Sequence, residues 1–392
     1  MKIGFDVSAT CNEKTGCTWY ADSLIRAMTE NHPEHEYLLY HHFASLCSPI
    51  ASQGTRIDKD YVSHPYEKFS VAEAKEEWEN IAKGKSPAGS PDIIQANFFD
   101  CPNIRSTPIV YVIYDLTFFV CPEFLTLRHY FGCTPGLCDA LTHASGILFI
   151  SEYTRQEFNR MFPRWLEETQ IPNRVVLLAS RGDSKELAPR LGESHWLTIG
   201  TLEPRKNHIN LLAAHEIYWG LSQHKRPLVI VGGKGWLTEE IHEKIKKGEH
   251  DGRILYHGYV ADDELNRLYS ESYGFIYPSH YEGFGLPVLE ALHRGVPVLS
   301  TSTTSLPEVG GDAVGYFDPS SPSDIAEQML ALEANLSIRS ERVVKGKEQA
   351  AQFSWSKVAR ETLDFYHEVR ESWNRKQAQK WRTEAEAAES TK

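Results

Sequence analysis

Short apolar runs rich in β-branched residues alternate with helix-like segments through both halves of this chain. No other feature constrains the fold as much, because strands joined by helical connections pair in parallel and build βαβ units. In the first half, candidate strands cover residues 3–7, 37–40, 109–113 and 146–150, and helical periodicity covers 20–29 and 155–161. Ser151 stands between the last of these strands and its helix, where a hydroxyl caps the first turn. A polar stretch at 181–194, carrying Gly and Pro, reads as a linker. Strands then recur at 196–200, 227–231, 254–257, 274–277 and 296–300, with helices fitting at 211–219, 238–247 and 262–270. The pattern predicts two doubly wound α/β domains, 1–180 and 195–355, which suits a length of 392 residues.

The last forty residues read as one helix, 356–392. Phe365, Val369, Trp373, Gln377 and Trp381 recur every fourth residue and form a stripe. Packing on the body of the protein explains the stripe. Arg375, Lys376, Lys380 and Arg382 among the tryptophans would also suit a membrane surface. The break at Gln377 and the acidic end favour packing.

A net charge of −12 argues against a general nucleic-acid binder, which needs a basic surface for phosphates. The seven cysteines fall between Cys11 and Cys138 in no zinc-like or Cys-x-x-Cys spacing, as expected of reduced thiols in a cytosolic protein. The N-terminus reads as a first strand, not a signal peptide, and no run of 18 apolar residues occurs.

The chemistry is concentrated in Tyr277-Pro-Ser-His-Tyr-Glu-Gly-Phe-Gly-Leu-Pro-Val-Leu-Glu-Ala, which reads strand, glycine-bearing loop, helix. Pro287 suits a first helical turn. Gly283 and Gly285 let a ligand approach the backbone, and the helix start offers N–H groups and a positive dipole end to a diphosphate. Glu282 and Glu290 lie eight apart at that same end. A carboxylate beside an anion site needs a further task, and two oxygens match a sugar diol. A solvated acid near the start of a helix is the plainer explanation of Glu290 taken alone. A second element, Gly200-Thr-Leu-Glu-Pro-Arg-Lys-Asn, sets Arg205 and Lys206 on a strand-to-helix loop, a fork and a point charge suited to two phosphates. Asn207 reads as a helix cap. Gly16, before the first helix, could present backbone N–H groups, though a plain turn explains it equally well; Gly233 and Gly235 read as a turn. No dinucleotide fingerprint accompanies them, which argues against an oxidoreductase.

These blocks resemble the retaining glycosyltransferases of family 4, which have the GT-B fold. Glu282-Gly-Phe-Gly-Leu-Pro-Val-Leu-Glu290 is similar to that family's Glu-x7-Glu motif, and the Gly200 to Asn207 block to its diphosphate loop. Tyr256-His-Gly-Tyr-Val260, Ser305-Leu-Pro-Glu-Val309 and Phe353-Ser-Trp355 extend the likeness. It is thinner in the first half, at Tyr114-Asp-Leu-Thr-Phe118 and Ser151-Glu-Tyr-Thr-Arg155. The resemblance implies two Rossmann-like domains facing a central cleft, the last helix crossing back to the first. It implies a sugar moved from a nucleotide-diphosphate donor, GDP-mannose or a UDP-sugar, to an acceptor hydroxyl in polysaccharide or glycolipid synthesis. Arg205 and Lys206 would bind the diphosphate and Glu282 the donor sugar. Phe284, Gly285 and Leu286 would offer backbone contacts, and Glu290 would bind the ribose. Gly258, Tyr259 and Val260 would line the base, and Gly16 would approach the phosphate. Tyr114, where the family usually has His, and Asp115 would face the sugars. No metal or cofactor is implied. The expected place is the cytoplasm, with peripheral contact to the inner face of the membrane and the oligomeric state left open. A catalytically degenerate partner or scaffold, and a phosphorylase or epimerase on the same fold, are the competing readings.

Overall fold

The structure is a computed structural model that describes residues 1–11, 16–180 and 194–390. The expected linker at 181–194, apart from Ser194, lies outside the described residues. The chain divides into two compact units, Met1–Leu116 with Arg128–Leu178 and Trp355–Lys392, and Thr117–Leu127 with Ala179–Ser354. Residues 117–127 therefore depart from the boundary read from the sequence. Phe124 explains the departure: its carbonyl accepts from Trp236 Nε1 at 2.7 Å, and its ring stacks on His280 at 5.6 Å.

In the first unit the strands are β1 (Lys2–Asp6), β2 (Glu36–Tyr40), β3 (Val62–Ser63), β4 (Ile93–Ala96), β5 (Ile109–Ile113), β6 (Gly146–Phe149) and β7 (Asn173–Val175). They form one parallel sheet in the order β3-β2-β1-β4-β5-β6-β7. The central strands are buried along almost their whole length, which is why they read as continuous apolar runs. Ser151 caps the helix Glu152–Met161, its Oγ accepting from Thr154 N at 3.1 Å. The final helix, Trp355–Ser390, belongs to this unit. Phe365, Tyr366 and Val369 have no exposed surface. The helix comes so close to β6 that a Cβ at Gly146 would sit 2.4 Å from Val369 Cγ2. Ion pairs Arg174–Glu368 (2.7 Å) and Arg370–Asp92 (2.9 Å) flank this contact. The first half of the stripe is thus core, while the side chains of Trp381 and Arg382 lie outside the described residues.

The second unit has β8 (His195–Ile199), β9 (Leu228–Val231), β10 (Ile254–Gly258), β11 (Ser272–Tyr277), β12 (Val298–Thr301) and β13 (Val314–Phe317). They too form a parallel sheet, in the order β10-β9-β8-β11-β12-β13. Trp196 anchors its core edge-on to Tyr218 (5.7 Å) and Tyr273 (5.3 Å). The strand order reverses between β1 and β4 in one sheet and between β8 and β11 in the other. Open α/β sheets bind ligands at the carboxyl ends of the strands flanking such a point. Among the described residues no helix is long and apolar enough to cross a membrane.

Candidate active site

The two informative loops leave the carboxyl ends of β8 and β11, the strands that flank the reversal in the second unit. The first loop lies so tightly against the end of β9 that a Cβ at Gly232 would fall 1.9 Å from Gly200 O, and one at Gly235 2.2 Å from Leu202 O. The turn at 232–235 therefore holds the loop from behind. Pro204–Lys206 then forms one tight helical turn, and a backbone bond from His280 N to Arg205 O (2.9 Å) joins the two loops. Asn207 departs from its expected capping role. Its φ is +58° and its side chain makes no cap bond; Nδ2 instead donates to Pro278 O (3.0 Å) and Pro319 O (2.8 Å). It ties the loop down because the left-handed backbone turns its amide away from the helix start.

Arg205, Lys206 and Glu282 meet. Lys206 Nζ donates to Glu282 Oε1 at 2.6 Å and to the Tyr277 hydroxyl at 2.7 Å. Arg205 Nη1 donates to Glu282 Oε2 (2.9 Å) and Tyr281 O (2.8 Å), while Nη2 donates to Glu203 Oε1 (2.6 Å). Glu203 and Glu282 are buried. Burial pushes the Glu282 carboxyl up, but Lys206 and Arg205 outweigh it and hold the pKa down at about 2. Burial, reinforced by Arg205, lowers the pKa of Lys206. Two cations face two carboxylates, so the cluster carries no formal net charge.

Gly285 opens the helix Leu286–His293 at φ +115°, and a Cβ there would sit 2.6 Å from Leu306 Cδ2. Ser305 Oγ clamps the loop by donating to Glu282 O (3.0 Å) and Phe284 O (2.9 Å). The Phe284 ring is core, edge-on to Phe353 at 6.1 Å, so only its backbone faces the loop chemistry. Leu286 is the first helical residue and half-buried. Glu290 sits past the first turn with no exposed surface, its Oε2 accepting from the Tyr269 hydroxyl at 3.3 Å. Gly258 ends β10 at φ +63°, Val260 is half-buried and Tyr259 is 72% exposed.

In the first unit Gly16 is exposed and opens the helix Gly16–Asn31, and a Cβ there would meet nothing within 4 Å. Tyr114 and Asp115 follow β5 and are half-buried. The Tyr114 hydroxyl donates to Asn97 O at 2.8 Å, its ring is edge-on to Tyr20 at 5.5 Å, and burial raises its pKa well above the usual phenol value. Asn97 belongs to a buried network at the ends of β1 and β4. Its Nδ2 donates to Asp6 O (2.8 Å) and its Oδ1 accepts from Gln95 Nε2 (2.5 Å); Tyr366 of the final helix donates to Gln95 Oε1. Burial raises the Asp6 carboxyl to about 7 against the opposing bonds from Ser8 and Asn97.

The profile of the family described as "Glycosyl transferases group 1" matches residues 181–349. The chain is 33% identical to O-antigen chain mannosyltransferase B of Escherichia coli over 271 residues, 66% of this chain and 69% of the relative. It belongs to the group 1 glycosyltransferases. Sucrose-phosphate synthase from Thermosynechococcus elongatus superposes with a TM-score of 0.68 at 15% identity, over 94% of this chain and 98% of that one. WaaG, a glycosyltransferase involved in lipopolysaccharide biosynthesis, gives 0.65 at 13%, over 93% and 99%. These likenesses establish the GT-B fold.

Within this group 1 glycosyltransferase, the structure brings Arg205, Lys206, Glu282, Phe284, Gly285 and Leu286 to one sheet edge. Gly16, Tyr114 and Asp115 belong to the other unit. The sequence reading missed Glu203, Tyr277 and Ser305, although each stands inside or beside a quoted motif. Tyr277 gave no signal because its partner, Lys206, is 71 residues away, whereas Glu203, two residues before its partner Arg205, stood inside the quoted loop.

Proposed function

We propose that this glycosyltransferase moves mannose from GDP-mannose, ahead of a UDP-sugar, to a hydroxyl of a polysaccharide or glycolipid acceptor, with retention of configuration. The observation that carries the reading is the meeting of Arg205, Lys206 and Glu282 at the ends of adjacent strands β8 and β11. The mannose comes from the name of the relative in Escherichia coli.

Arg205, Lys206 and the start of the helix Leu286–His293 take the diphosphate, whose charge grows as the sugar leaves; one such donor is worth about 10²–10³ in rate. The cluster is formally neutral before the donor arrives. The diphosphate therefore competes with Glu282 for the Lys206 and Arg205 protons, and the released carboxylate oxygens accept from sugar hydroxyls. Glu290 takes the ribose hydroxyls once the side chains over it shift, and Gly258, Tyr259 and Val260 border the base. The Tyr114 proton is committed to Asn97 O, so a leaving phosphate oxygen takes the acceptor proton. The two cationic side chains replace a metal, and transfer is expected to continue in a chelator.

Thermal-shift titration with UDP, GDP, dTDP and ADP and their sugars tests the donor site, followed by transfer assays and NMR of the product anomer. A shift confined to GDP and its mannose conjugate is expected. No shift with any nucleotide would sink the donor assignment and favour a degenerate partner, and an inverted product would sink retention.

A further inference from the structure

The first unit has a cavity of about 450 Å³ at the carboxyl end of β2, within the usual range for small-ligand sites. It lies on the ligand edge of the sheet, since β2 neighbours β1 and β1 flanks the strand reversal. His42 lines it, 1% exposed, and neither ring nitrogen has a hydrogen-bond partner of good geometry among the described residues, the Phe69 backbone offering only a weak contact. A buried imidazole without partners is unfavourable unless something else fills its bonds. Burial lowers its pKa, against a smaller opposite pull from the nearby Phe69 backbone, so the ring is neutral and offers one donor and one acceptor.

The surroundings restrict the ligand. Arg56, on the wall, is paired with Glu67, so this part of the wall adds no net charge. Lys68 adds one exposed positive charge, and Ser52 brings a hydroxyl. Phe69 is 40% exposed, its ring tilted on Tyr66 at 5.3 Å, and Tyr66 in turn stacks on Tyr40 at 5.6 Å. The Trp78 Nε1 bond to His42 O, 3.1 Å, fixes the backbone beneath. A supported aromatic face, a neutral imidazole, a hydroxyl and a compensated ion pair suit a neutral polyhydroxyl ring, which has apolar C–H faces and an equatorial rim of donors and acceptors. A compact anion would meet the Glu67 carboxylate.

We propose that this pocket holds a sugar unit of the acceptor chain, distant from the unit that receives the new sugar. The inference rests on the polysaccharide acceptor proposed above. It makes the enzyme favour longer acceptors through binding energy remote from the reacting hydroxyl.

The test uses the full chain, α-linked mannooligosaccharides of increasing length, and the variants His42→Gln and Phe69→Ala. Phe69 is surface-exposed, so its truncation keeps the fold. The expected result is a KM that falls with acceptor length in the natural enzyme, and a roughly tenfold higher KM for the long acceptors alone in both variants, the size of one or two lost contacts. Calorimetric titration of the longest oligosaccharide should show the same loss without any donor. Length-independent KM in the natural enzyme, equal losses for short and long acceptors, or unchanged constants in both variants would each overturn the proposal. Pocket-dependent oligosaccharide binding without mannosyl transfer would leave the sugar site standing and remove the mannosyltransferase reading instead.

Discussion

Lys206 Nζ lies 2.6 Å from Glu282 Oε1, and both side chains are largely shielded from water. The contact, together with Arg205, outweighs the effect of burial on the carboxyl and holds its pKa down at about 2. In the second unit of this glycosyltransferase, the carboxylate proposed to meet the donor sugar and the ammonium proposed to meet its phosphate are thus joined in one ion pair.

Lys206→Ala should lower transfer by about 10²–10³-fold. It should also destabilise the unit by about 3–5 kcal/mol, because a buried carboxylate loses a partner. Adding Glu282→Gln removes that uncompensated charge and should recover most of the stability without recovering activity. Denaturant unfolding beside transfer assays reads both effects. A single variant with near-natural turnover would remove Lys206 from the donor site.

Gly285 and Gly16 should respond oppositely to alanine. At Gly285 the φ of +115° and the Leu306 methyl 2.6 Å from a Cβ leave no room, so Gly285→Ala should destabilise by about 1–3 kcal/mol and weaken nucleotide binding. At Gly16 the side-chain space is open, and an alanine near a helix start should leave stability within about 0.5 kcal/mol. Thermal unfolding and nucleotide titration of both variants check the contrast.

Tyr114→Phe removes the hydrogen bond that the Tyr114 hydroxyl donates to Asn97 O and keeps the ring. The expected loss is about 1 kcal/mol of stability, with kcat changed only a few-fold and the pH profile of kcat unmoved. A loss of kcat beyond about 100-fold would return the phenol to a direct part in the chemistry.

The parallel sheets were legible because most of their central strands are apolar on both faces, β4 with its buried Gln95 being an exception. β3, β4, β7 and β13 were not: β3 has two residues, and β7 is Asn-Arg-Val with every residue half-buried. Their pairing comes from neighbouring strands, which no local pattern encodes. The site was legible where one loop holds its chemistry, as from Glu282 to Glu290. It was illegible where the chemistry is a long-range contact. Asn207 carries every local mark of a cap, yet its amide is claimed by Pro278 O and Pro319 O, residues 71 and 112 positions away. Phe124 likewise reads as part of the first domain until its contacts with Trp236 and His280 are known.

Three buried histidines favour unfolding as the pH falls. Burial lowers His41 and His215 to about 4 and, with Lys206 adding to it, His208 to about 3. Each is neutral when folded and takes a proton near pH 6.5 when unfolded, so the unfolded chain binds more protons below that pH. Their stabilisation is complete above pH 6.5 and is lost as pH falls toward 4. Asp6 opposes them. With a folded pKa raised to about 7, it holds its proton in the fold, and its contribution is present at low pH and lost as pH rises toward 7. Between pH 6.5 and 4 the histidines outnumber it, so the melting temperature should fall on acidification. Asp6→Asn removes the opposing proton and should steepen that fall, whatever it does to stability at pH 7. Melting curves of both proteins across this range decide it: parallel slopes would mean that Asp6 is ionised in the fold.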